Sequence, residues 1–99
     1  MVTVVTRIKI RDGQEQAWDG AFRERAQAAK EQGGFVFVQL CRPDDAPSER
    51  VIVGTWESRD AWSAWHEHPA FVETRERLEE VDEQRQDTQW YEVVVEERA

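Results

Sequence analysis

The stretch Gly54 to Phe71, GTWESRDAWSAWHEHPAF, holds three of the chain's five tryptophans and both of its histidines. Those residue types support three kinds of chemistry. Indole rings line dry cavities that take flat, apolar molecules. An imidazole titrates near neutrality and can move protons. Imidazoles beside a carboxylate bind transition metals. The spacing separates these readings. Trp62 and Trp65 lie three apart and share one face of a helix, as a core seam does and as a cavity wall does. His66-Glu67-His68 lacks the i, i+4 separation that sets two imidazoles on one helical face. Pro69 follows directly and turns the chain, so the rings diverge, and with no third ligand in view no metal centre is expected. His66 then sits at a helix C-terminus, where a positive charge suits the dipole. Either histidine remains a candidate for proton transfer.

These residues need a scaffold, and the periodicity supplies one. Val2, Val4, Thr6, Ile8 and Ile10 alternate with Thr3, Val5, Arg7 and Lys9, which predicts a strand over 2–10. Asp12 and Gly13 mark a turn, with Asp12 a candidate cap. From Gln14 to Gln32 the period lengthens: Trp18, Ala21, Phe22, Arg25, Ala26 and Ala29 form the inner face of an amphipathic helix that Gly33-Gly34 stops. Phe35 to Cys41 is almost wholly apolar and reads as a central strand covered on both faces, with Cys41 buried in it. A Pro- and Asp-rich loop leads to an antiparallel strand over 50–56. Ser58 caps a short helix over 59–66. Pro69 opens a further helix to about Arg85, with Phe71, Val72, Leu78 and Val81 inward and a solvated Glu/Arg face outward. A last alternating strand is expected over 88–96, with Trp90 a candidate for an interface between copies.

The order β-α-β-β-α-α-β is the ferredoxin-like α+β plan, a four-stranded antiparallel sheet with helices on one face. The sheet's other face then needs a cover, and a second copy of the chain is the simplest one. A homodimer is therefore expected.

The whole-chain totals narrow the partners. Ninety-nine residues make one domain, 1–99. One cysteine permits no internal disulfide and no cysteine-based zinc cluster. A formal net charge of −8 argues against nucleic acid and against anionic membranes. The longest apolar runs are far too short to span a bilayer. The first ten residues alternate as a strand does, unlike a signal peptide, so a cytoplasmic location is expected. A small neutral or weakly charged molecule is the partner that fits.

GGFVFVQLCRP, followed by VIVGTWESRDAWSAWHEHPAF and a closing strand, resembles the antibiotic biosynthesis monooxygenase (ABM) family of dimeric α+β barrels. The resemblance covers nearly the whole chain. It implies two protomers forming a barrel, a cavity between sheet and helices, and Trp65 on the wall of that cavity. The family includes cofactor-independent oxygenases of anthrones, quinol monooxygenases and haem-degrading oxygenases. The haem-degrading branch uses an Asn, a Trp and a His. Trp65 matches that Trp, but Thr6 stands at the Asn position and Thr74 at the His position, and Thr is a poor axial donor to haem iron. Haem is accordingly the alternative, with no cofactor the first expectation.

No phosphate-binding glycine loop, dinucleotide fingerprint or nucleophile elbow is present. An oxygenase of this sequence would let an electron-rich phenol or quinol, once deprotonated, pass an electron to dioxygen. The protein would provide a dry aromatic cavity and polar groups to orient the substrate. Trp65, Phe22, Phe37 and Phe71 are the expected walls. Arg25, Gln39, Thr6, His68 and Thr74 are the expected polar contacts, with Trp65, Thr6 and His68 the candidates closest to chemistry. Three readings stay open: a cofactor-independent monooxygenase of a quinol- or anthrone-like compound, a haem-binding or haem-degrading protein, and a non-catalytic dimer that binds a small apolar ligand.

Overall fold

The computed structural model describes residues 1–79 and 82–99, and the side chains outside 79–86. β1 (Val2–Ile10) lies inside a four-stranded antiparallel sheet, bonded to β3 (Glu49–Trp56) on one side and to β4 (Asp82–Glu92) on the other. β2 (Phe35–Cys41) pairs with β3, giving the order β2-β3-β1-β4. The described residues also form three helices: α1 (Glu15–Ala29), α2 (Arg59–His66) and α3 (Pro69–Glu79). This is the ferredoxin-like α+β architecture that the element order implies.

The alternation in β1 decides which face the helices cover. Val4, Thr6, Ile8 and Ile10 are buried on one side, while Arg7 is exposed on the other. Ile8 and Ile10 pack with Trp18 and Phe22 of α1 and Leu78 of α3. Trp56, at the far end of the sheet, packs with Ala29, Trp65 and Phe71. The opposite face carries half-buried Val5, Phe37, Val51 and Val53, together with exposed Cys41 and Tyr91. There Arg7 Nε donates to Glu49 at 2.6 Å, a bond that raises the guanidinium's pKa above its ordinary value.

Local chemistry sets the helix ends. Ser58 Oγ accepts from the Ala61 amide at 3.1 Å and caps α2, as its position predicts. Gly34, rather than Gly33, takes the left-handed conformation (φ +84°), and its carbonyl accepts from Glu57 N at 2.7 Å. A Cβ at Gly34 would collide with the Cβ of Ala61, so this turn is seated directly on α2.

Several expectations are corrected. β2 is an edge strand of the sheet, not a central one, and Cys41 is exposed. Asp12 does not cap α1, whose N-cap is Gln14; instead Glu15 Oε1 accepts from Gly13 N at 2.9 Å. α3 ends at Glu79 rather than near Arg85, and β4 spans 82–92 rather than 88–96. The inward placement expected of Val81 lies outside the described residues. Trp90 faces the helices, its ring 4.5 Å from that of Trp62 in the same chain, with the Arg59 guanidinium 4.2 Å above it.

Candidate functional site

Small residues face one another between the sheet and the helices, and a cavity of about 430 Å³ lies there. Val4, opposite Gly54, and Thr6, opposite Ile52 and Thr88, form its floor. Ala26 and Ala29 of α1 stand above. Leucine-sized side chains at those positions would close the space, because protein interiors otherwise pack without voids of this size. Trp56, Trp62 and Trp65 form one wall, with Phe22, Phe35 and Phe71 completing an aromatic lining. Its volume falls within the ~300–1,000 Å³ typical of small-molecule sites.

Among the described residues, few polar groups reach this lining. Thr6 and Thr88 hydroxyls lie 3.3 Å apart. Arg25 is buried and donates from Nε to Thr74 Oγ1 at 3.1 Å, with its guanidinium 4.5 Å from the centre of the Phe71 ring. Arg75 approaches the same ring at 5.8 Å. His66 Nδ1 is 2.7 Å from the Trp62 carbonyl, and its ring packs 3.6 Å from that of Trp62 and 4.2 Å from that of Phe71. Among the described residues, no carboxylate lines the cavity.

The structure brings Trp65, Phe22, Arg25, Phe71 and Thr6 to this one space. Thr74 stands just behind it: its hydroxyl accepts from Arg25 and is within bonding distance of the Ala70 and Phe71 carbonyls at 3.1 and 2.9 Å. Phe37 and Gln39 are not part of it. They line a groove on the opposite side of the sheet, beside Glu96, Glu97 and Arg98. His68 is also outside the lining: its Nδ1 accepts from Ala70 N at 3.1 Å, which makes it the cap of α3, with its ring stacked near Trp65. His66 ends α2, as expected, and it also lines the cavity rather than lying at the surface. Its place four residues after Trp62 was the signal, since i and i+4 share a helical face.

A family model described as antibiotic biosynthesis monooxygenase matches residues 1–77, and the chain belongs to that family. A Mycobacterium tuberculosis protein named "Heme oxygenase (mycobilin-producing)" is 32% identical over 71 residues, covering 72% of this chain and 68% of that protein. Among solved structures, SnoaB from Streptomyces nogalater, described as a cofactor-independent oxygenase, superposes with a TM-score of 0.85 at 22% identity, covering 96% of this chain and 94% of SnoaB. A Nitrosomonas europaea protein provisionally named for the same family gives 0.88 at 14% identity, covering 96% of this chain and all of the other. At such identities these structures speak for the fold alone.

Proposed function

We propose that this protein is a monooxygenase that oxidises a small, electron-rich aromatic compound, quinol- or anthrone-like, with dioxygen and no bound cofactor. It acts as a homodimer whose second copy covers the open face of the sheet. The observation that carries this reading is the cavity itself: among the described residues, three indoles and three phenyl rings surround a space of about 430 Å³, with hydroxyl, guanidinium and imidazole groups as polar contacts. Flat rings gain apolar burial and edge-to-face contacts there. Exclusion of water strengthens the few polar contacts that orient the substrate and shields a reactive anion from stray protons. Arg25 and Arg75 favour the deprotonated substrate, because a cation nearby stabilises a phenolate. That SnoaB is described as working without a cofactor on the same fold supports the reading.

The test is oxygen uptake by the purified protein with a panel of hydroquinones and anthrones. Saturable uptake that falls at least tenfold in Trp65→Ala is expected. Ligand binding without uptake would replace the oxygenase with a non-catalytic binding domain.

Haem is the second reading, favoured by the 32% identical relative. The residues at the matching positions do not fit that ligand. Thr74 is committed to Arg25 and to the backbone of α3, and a hydroxyl is a weak iron donor. A haem titration read at the Soret band decides: a stoichiometric shift, lost in Trp65→Ala, would displace the first reading.

A further inference from the structure

We infer that His66 is the general base of this site, the group that takes the substrate's phenolic proton. The inference rests on the oxygenase reading. It begins by elimination among the described residues that line the cavity. Thr6 and Thr88 carry hydroxyls that are no bases near neutral pH, and Arg25 and Arg75 stay protonated. His66 is the lining side chain able to accept a proton in that range.

Its surroundings prepare it for that task. A carbonyl oxygen can only accept, so the 2.7 Å contact with Trp62 places the hydrogen of the neutral ring on Nδ1 and the lone pair on Nε2. Once Nε2 is protonated, three features stabilise the cation. The Nδ1–H bond to the carbonyl becomes charge-assisted. His66 is the last residue of α2, where the helix dipole favours positive charge. The ring also lies against the face of Trp62, a site for a cation–π contact. Among the described residues around the cavity, α1 and α3 contribute the guanidiniums of Arg25 and Arg75, the strands contribute Thr6 and Thr88, and Glu67 beyond α2 is exposed. The two guanidiniums oppose the imidazolium but hold the anion it creates.

The chemistry balances with dioxygen as the oxidant. The substrate O–H bond (for an anthrone, that of its enol) breaks, and an N–H bond forms at Nε2. The anion gives one electron to dioxygen, and the resulting radical and superoxide join as a C–O bond. The peroxide takes the proton back from His66. His66 then removes the remaining C–H proton, the C=O bond forms, and the O–O bond breaks to release hydroxide. Hydroxide leaves as water with the proton His66 has just taken. One oxygen atom stays in the quinone and the other becomes water.

The experiment pairs oxygen uptake against pH with a turnover-free probe, alizarin, whose phenolate differs in colour from the phenol. For His66→Gln, kcat is expected to fall about 10²-fold or more, with KM within about threefold, and the acidic limb of the profile should disappear. His66→Phe keeps ring packing between Trp62 and Phe71 and should behave alike, which covers the case of a Gln variant that fails to fold. Wild-type protein should ionise alizarin on binding, and both variants should bind it as the neutral phenol. A His66 variant that retains more than a tenth of kcat and the same acidic limb would overturn the inference. If wild-type protein takes up no oxygen, the oxygenase reading fails by itself. The alizarin spectra then judge His66: ionisation lost in the variants supports the base, and unchanged spectra or no binding rejects it.

Discussion

The space between sheet and helices has a filled end and a hollow end, built from the same elements. At the filled end, Ile8, Ile10, Trp18 and Leu78 have almost no exposed surface, and Phe22 completes the cluster. At the hollow end, the same inner face of β1 presents Val4 and Thr6, β3 presents Gly54, and α1 presents Ala26 and Ala29. Strand pairing and helix packing continue through both, so the contrast lies in side-chain volume. Large aliphatic groups at one end hold the layers together. Small groups at the other let aromatic walls stand apart. Tight packing and open volume are thus separated along one strand.

Three substitutions would break or sharpen that contrast. Leu78→Ala opens a void at the filled end and should cost about 2–5 kcal/mol, read as a lower urea midpoint, while ligand affinity in the surviving folded protein is retained. Ser58→Ala removes the cap of the helix that carries Trp62, Trp65 and His66, and should cost about 1 kcal/mol by thermal unfolding. Gly54→Ala should act in the opposite direction. An added Cβ there meets Val38 Cγ2 at 3.7 Å and Trp56 Nε1 at 3.9 Å, ordinary contact distances. A gain of about 0.4–1 kcal/mol in unfolding free energy is expected, with a smaller cavity and weaker binding of the bulkiest ligands. If Gly54→Ala destabilised as Leu78→Ala does, the two ends would not be distinct.

Much of this architecture was legible because its periods are clean. β1 alternates strictly, α1 keeps its apolar face from Trp18 to Ala29, and Ser58 marks the start of α2. The misreadings have physical causes. ETRERLEEVDEQRQD is rich in residues of good helix propensity, yet pairing with β1 draws 82–92 into a strand, since tertiary contacts override a weak local preference. Phe35 to Cys41 is apolar enough for a central strand, but a run of this kind does not say where in the sheet it lies. Its register shifts between Phe35 and Phe37. A strict period of two would set Phe35, Phe37 and Gln39 on one face; with the irregularity, Phe35 and Val38 line the cavity while Phe37 and Gln39 turn away. The place of His68 was missed for a different reason. Pro69 starts a helix, and His68 supplies its cap, a role that the dipeptide alone does not announce.

Gly34 and Ala61 lie outside the cavity lining, yet they restrict how a lineage carrying this fold can diverge. Position 34 needs left-handed backbone and has no room for a Cβ, and position 61 has to stay small to receive it. A larger residue at either would displace α2 and every ring it carries. Wall residues can be exchanged one against another as the ligand changes, because volume lost at one can be restored at its neighbour. The contact between Gly34 and Ala61 has no such compensation. What the cavity holds can therefore drift quickly, while the docking of α2 stays nearly frozen.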